Sequence, residues 1–146
     1  MTAYGPPEQV YAELDYYDGP RGGIADVGGI PHRFKSLFNQ AEDDYSEIFL
    51  IWPIAPEMLL LEVEQWRIFT AWNELYEAGK VGTETHPGRG GLDPRWDELD
   101  HLLQASRSEV PADARKMLVE FVPTGTARYT PDGPAYQARW MPKTAA

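Results

Sequence analysis

The sequence predicts an α+β fold: a mostly antiparallel, strongly curved sheet with one long and one shorter helix, the most curved form being a partly open barrel at the N-terminal end. Three observations carry this. Glycine and proline cut residues 15–38 into strand-length pieces. An apolar run over residues 45–52, bounded by acidic residues and Pro53, has the length of a strand buried on both faces. Residues 56–78 keep a helical period with no glycine or proline after Pro56.

Taken in order, residues 1–8 are small and proline-containing and are expected to be a loose arm. From Gln9 onward, Val10, Ala12, Leu14 and Tyr16 alternate with Tyr11, Glu13, Asp15 and Tyr17, the period of a half-buried strand. Residues 18–23, Asp-Gly-Pro-Arg-Gly-Gly, read as a turn or loop. A second hairpin joins residues 24–27 to residues 30–38 through Gly28-Gly29, a pair suited to a primed turn. That turn sets Val27 opposite Ile30, Asp26 opposite Pro31, Ala25 opposite His32 and Ile24 opposite Arg33, with Asp26 and Arg33 as a diagonal charge pair.

After an acidic connection at residues 42–44, the 45–52 strand is expected at the centre of the sheet. In the long helix Met58, Leu61, Ile68, Phe69, Trp72, Leu75 and Tyr76 fall on one arc with Gln65 among them, and Gly79 suits its C-terminal cap. Leu59, Val63 and Trp66 lie nearly opposite, so the helix is either wedged between elements or partly an interface, and a homodimer through those three is compatible with the pattern. Residues 80–92 are too rich in glycine for regular structure. Asp93 resembles an N-cap with Pro94 behind it, opening a helix to about Arg107 that carries Trp96, Leu99, Leu102 and Leu103. Residues 115–122 alternate as a strand, and residues 127–130 and 136–141 are expected to pair as a last hairpin around Pro131-Asp-Gly-Pro134. The tail, residues 143–146, is expected to fray. With no repeat and no linker, the 146 residues make one domain.

Charge narrows the partners. A net charge of −10 disfavours nucleic acid and anionic membranes, which need clustered Lys and Arg, and suits solubility or a basic protein partner. With no cysteine, disulfides and thiolate chemistry are excluded. The N-terminal residues have neither a basic nor an apolar leader region, and no run reaches membrane-spanning length, so a soluble cytoplasmic protein is expected.

No phosphate-binding glycine-lysine loop, dinucleotide fingerprint, nucleophile elbow or zinc-binding helix motif occurs. His32, His86 and His101 are too scattered to place two on one helix face, and no metal or cofactor is expected. His32 falls on an apolar sheet face, either as a core histidine bonded to backbone or a tyrosine, or as a polar group lining a pocket. Asp15, Asp18 and Asp26 crowd the hairpin ends, where aspartates commonly bond their own backbone. Arg21, in the glycine-rich turn, is the side chain expected to meet a partner there. Trp52, Trp72 and Trp96 read as core, whereas Trp66 and Trp140 are less well accounted for. The candidate binding residues are therefore Arg21, Asp26, His32, Arg33, Trp66 and His86.

At Tyr17-Asp-Gly-Pro-Arg-Gly-Gly-Ile-Ala-Asp26, followed by Gly29-Ile-Pro-His32, the chain resembles an uncharacterised family of small bacterial proteins, and the likeness continues through the helix around Trp66 and Trp72 and through Thr85-His86-Pro87. It departs at Val27-Gly28-Gly29, where an aromatic-Asn-Gly turn is usual, and at Arg33, where an aromatic follows the histidine. The resemblance implies a bacterial cytosolic setting and brings no activity, cofactor or partner.

Two functions are expected. One is a small acidic binding or regulatory module of the inhibitor or immunity kind that masks a basic protein. The other is a small enzyme or ligand-binding protein with a pocket between the N-terminal hairpins and the 85–92 loop, using His32, Asp26 and Arg21.

Overall fold

The computed structural model describes residues 3–143, so the outermost parts of the expected loose arm and frayed tail lie outside the described residues. The strands are β1 (Glu8–Tyr16), β2 (Pro20–Val27), β3 (Ile30–Asn39), β4 (Asp44–Pro53), β5 (Arg115–Pro123), β6 (Tyr129–Thr130), β7 (Gly133–Pro134) and β8 (Tyr136–Pro142). Between β4 and β5 lie α1 (Pro56–Glu77) and α2 (Pro94–Ser108). Six strands close into an antiparallel barrel in the order β1-β2-β3-β4-β5-β8, and β6 and β7 form a separate ladder. The expected α+β fold with a curved sheet is thus realised as a closed barrel with two helices.

Every barrel strand sends apolar side chains to one core: Val10, Ala25, Val27, Phe34, Phe49, Ile51, Met117, Ala138 and Trp140. Phe34 stands at its middle, 5.9 Å from Phe49, 5.9 Å from Phe121 and 5.8 Å from Trp140 between ring centres. The Trp140 indole donates to the Asp26 carbonyl at 2.9 Å, which accounts for a tryptophan without a strong local pattern.

The β2–β3 hairpin has the expected register, Val27 with Ile30 through Ile24 with Arg33. Gly28 and Gly29 have φ of 62° and 77°, as a primed turn demands. The Glu8 carboxylate caps that turn by accepting from both glycine amides at 3.0 and 2.7 Å.

The first hairpin differs from expectation. Its turn is shorter, with Pro20 already in β2, so Gly22 and Gly23 belong to the strand. Gly23 is there for close approach: a Cβ on it would stand 2.2 Å from the Ala12 carbonyl oxygen and 2.9 Å from the Phe34 ring. The simple alternation in β1 also fails. Val10 pairs with Ala25, but Ala12 pairs with Ile24 and Glu13 with Gly23, so bulges reset the faces. Val10 and Glu13 turn toward the interior, and Ala12 turns outward beneath α1.

A second cluster, Ala12, Ile24, Ile54 and Trp66, with Met58, Leu59 and Phe69 against it, joins the outer barrel surface to α1. Leu59 and Trp66, two of the three residues considered for a homodimer, are therefore engaged within the chain. α1 ends in a Schellman pair, Lys80 N–H to Leu75 O at 2.9 Å and Gly79 N–H to Tyr76 O at 3.0 Å. Asp93 caps α2 by accepting from the Arg95 and Trp96 amides, as expected. Leu99 and Leu103 of α2 are fully buried.

The last hairpin is rearranged. β8 pairs along β5 from Met117–Pro142 to Pro123–Tyr136, while Tyr129 and Thr130 pair only with Pro134 and Gly133. The Pro131-Asp132 turn is tight enough to close a two-residue ladder of its own, which leaves residues 136–142 free for the barrel. Likewise β4 has no centre to occupy in a closed ring; it lies between β3 and β5. No helix among the described residues is long and apolar enough to cross a membrane.

The space around Gly23 gives a direct check. Gly23→Ala is expected to lower the unfolding free energy by about 1–3 kcal/mol, the usual cost of overpacking, measured by urea unfolding; an unchanged midpoint would contradict the close β1–β2 approach.

Candidate functional site

β1 joins β8 over only two pairs, Glu8–Ala138 and Gln9–Gln137. Beyond them β1 is accompanied by the β6–β7 ladder instead, where a Cβ on Gly133 would stand 2.1 Å from the Val10 carbonyl oxygen. The Trp66 indole fastens that ladder to α1 by donating to Thr130 O at 2.7 Å. Here a cleft of 390 Å³ opens between β1, α1, α2 and the turn that carries His86. Its walls include Glu13, Glu62, Gln65, Trp66, Phe69, His86, Trp96, Asp100, Arg107 and Tyr129.

Part of the lining is a charge network centred on the buried Glu62 and Arg33. The Arg107 guanidinium forks onto Glu62, Nε to Oε2 at 2.9 Å and Nη2 to Oε1 at 2.5 Å, and Arg33 Nη1 donates to the same Oε2 at 2.7 Å. Arg33 also donates to the Ser106 hydroxyl at 3.0 and 2.9 Å. Gln65 extends the chain, accepting from Arg107 at 2.5 Å and donating to Asp100 at 2.8 Å. The Glu62 side chain is 1% exposed and that of Arg33 4%, so these charges have one another in place of water.

The rest of the lining is largely aromatic. Phe69 lies 5.4 Å from Trp66 and 5.0 Å from Tyr129. The His86 ring sits 4.5 Å from Trp72, 5.9 Å from Phe69 and 6.1 Å from Trp96. Residues 83–85 and 87–89 form two short 3₁₀ turns where only irregular loop was expected. They are held by the Trp72 indole on Thr85 Oγ1 at 2.9 Å and by Arg89 Nε on Thr83 O at 2.8 Å. His86 Nδ1 accepts from the Gly88 amide at 2.9 Å, which leaves the neutral ring's proton on Nε2. Burial, and then the Arg89 charge, hold this imidazole below the ordinary histidine value.

At the β1 end Glu13, with its side chain 7% exposed, accepts from the Tyr136 hydroxyl at 2.7 Å, and Arg128 Nη2 stands 3.5 Å away. Burial, and then the Glu13 charge, push the Tyr136 phenol well above its ordinary range. The Arg128 guanidinium lies over Tyr16 at 4.3 Å and over Tyr129 at 5.0 Å.

Of the residues singled out from the sequence, Trp66 and His86 line this cleft, and Arg33 stands behind it through Glu62. The diagonal Asp26–Arg33 pair does not form, because Arg33 takes Glu62 and Ser106, whereas Asp26 accepts from the Tyr11 hydroxyl at 2.9 Å. Burial, and then the bond to Asp26, push the Tyr11 phenol up to about 12. His32 is buried with Nδ1 2.6 Å from Ile30 O, the geometry of a core histidine. Arg21 folds back on its own turn, donating to Tyr17 O at 2.8 Å and Asp18 O at 3.3 Å. Sequence reasoning missed Glu13, Glu62, Asp100, Arg107 and Tyr129; Gln65 inside an apolar arc was the one local sign of a polar wall. Among the described residues, no group of three or more His, Asp or Glu is placed to hold a metal ion. No family model, no curated protein and no solved structure matches the chain.

Two outcomes follow from the walls. Glu62→Ala would strand Arg33 in the interior and is expected to cost about 3–5 kcal/mol by urea unfolding; a loss below about 1 kcal/mol would show that the network is not closed to water. For His86, the folded state binds a proton more weakly than the unfolded chain, so stability declines as pH falls from the unfolded value through the lower folded one, and is unaffected above it. An NMR titration should place the His86 midpoint below 6.5, and His86→Gln should remove that part of the slope; a midpoint at or above the ordinary value would contradict the half-buried setting of this imidazole.

Proposed function

We propose that the chain is a small acidic binding module and that the cleft between β1, α1 and the His86 turn is its ligand site. The observation that carries this is the mixed lining of the cleft: the rings of Trp66, Phe69, His86 and Trp96 stand beside the charged groups of α1 and α2 that are already bonded to each other. Aromatic faces supply contact area, and a few fixed polar groups supply orientation, the combination that small-molecule sites of this size use. The closed network around Glu62 keeps the polar wall in one shape, so little ordering is needed on binding.

A second reading, a module that masks a basic protein partner, is favoured by the net charge of −10 together with the exposed Leu14 at the edge of the cleft and the exposed Tyr16 and Tyr17 that follow it in the chain. Charge of that size accelerates encounter with a cationic surface and makes it sensitive to salt.

The readings separate in one experiment. A screen of small aromatic compounds followed by amide and indole NMR should give saturable shifts at Trp96, His86 and Gly88, lost at least tenfold in affinity in Trp96→Ala with the rest of the spectrum intact. If no compound moves those signals, the small-ligand reading falls; a specific basic protein captured at low salt and released at raised salt, with shifts at Leu14, Tyr16 and Tyr17, would replace it.

A further inference from the structure

Two carboxylates in the cleft wall are almost wholly buried, and they are treated differently. Glu62 is met by two guanidiniums through three bonds of 2.5 to 2.9 Å. Among the described residues, Glu13 has one phenol at 2.7 Å and, as its cation, only Arg128 at 3.5 Å on a side chain that is 54% exposed. A carboxylate taken from water needs close compensation, and a long contact from a solvated arginine supplies little of it. Glu13 is the buried charge in this cleft that the fold has not closed off.

Its surroundings are those of a cation site. The Arg128 guanidinium that meets the carboxylate rests over the rings of Tyr16 and Tyr129, so the place where a cation already sits beside Glu13 has two π faces, the arrangement that attracts ammonium and guanidinium groups. Arg128 does not line the cleft, but two of its neighbours, Glu13 and Tyr129, do. The volume beyond them runs on to Trp66, Phe69 and Trp96, so a cation held at Glu13 would have its apolar body against those rings.

We propose that the Glu13 end of the cleft is an organic-cation site: the ligand is a small amine or guanidinium on an apolar or aromatic body, and Arg128 is the internal group that it displaces. This rests on the cleft being the ligand site and adds the class of ligand. The net charge of −10 concentrates such cations at the surface, and the Glu13 carboxylate with its tyrosine faces selects them.

The test uses three probes that differ only in the head group: phenethylamine, 2-phenylethanol and phenylacetate, each titrated into the full chain and read at the Trp96, His86 and Gly88 signals. The amine should bind at least tenfold more tightly than the alcohol, and phenylacetate most weakly. Glu13→Gln, which retains an acceptor for Tyr136, should remove the preference for the amine and leave alcohol binding unchanged. Arg128→Ala should tighten amine binding severalfold, a sign opposite to that of a merely structural arginine. Should Glu13→Gln fail to fold, Arg128→Ala and the three probes decide the matter alone. Equal binding of amine and alcohol, or weaker or unchanged amine binding in Arg128→Ala, overturns the proposal. If these three leave the cleft signals unmoved while other aromatic compounds shift them, the cation site falls and the ligand cleft stands; if nothing shifts them, the cleft reading itself falls.

Discussion

The Glu62 carboxylate, shared between Arg33 of β3 and Arg107 of α2, is the contact on which the arrangement of helices and barrel depends. α1 docks through a mixed face: Met58, Leu59 and Phe69 pack on the barrel, but its most buried residues are Glu62, Gln65, Trp66 and Thr70. What holds its register is therefore geometric rather than greasy. An arginine fork meets a carboxylate in one relative position, and sliding α1 by a turn would leave Glu62 and Arg33 buried and unpaired. Apolar residues of equal volume could bury comparable area, but they would tolerate more than one register. α2 joins by the same face, with Leu99 and Leu103 fully buried and Ser106 and Arg107 a turn further on, so apolar burial holds the helix down and the charges decide where.

How far the sequence speaks depends on whether the deciding partner is near in the chain. The Gly28-Gly29 turn sets the β2–β3 register because two residues with positive φ leave one pairing, and Asp93 with Pro94 marks the start of α2 through bonds made within three residues. Arg33 was misread because its partner is 29 residues away, and a nearer acid, Asp26, offered a simpler pair. Gly23 was misread for another reason: glycine serves both positive φ and close backbone approach, and only the second applies to it. Glu13 followed from neither rule. The bulge at Tyr11 turns it from the solvent side of an alternating strand toward the interior, and a bulge leaves no mark in a pattern of two.

The two walls of the cleft differ in what it takes to move them. The charged wall is cross-linked between β3, α1 and α2, so displacing any member exposes or strands a buried charge. The His86 wall is held by exposed bonds, Trp72 to Thr85, Arg89 to Thr83 and Gly88 to His86, whose exchange for water is nearly balanced. Local opening draws on the weakest of such contacts first. The turn is accordingly the side of the cleft tied by the weaker polar bonds, with the packing of the His86 ring on Trp72, Phe69 and Trp96 as its main hold.

Barrel closure and cleft have a common origin in β1. Its first two residues complete the ring with β8, and the bulges that follow, together with the glycines of β2 opposite, turn the rest of the strand under α1. The gap this leaves beside β8 is filled by the short β6–β7 ladder, which brings Tyr129 to the cleft and Arg128 over Glu13. A β1 without bulges would pair further along β8 and carry Glu13 on its outer face, in water and away from Tyr136. The irregular strand is therefore what makes a buried carboxylate, a pair of tyrosine faces and an opening coincide, and the small six-stranded barrel supplies the rigid frame that lets a local irregularity hold one shape.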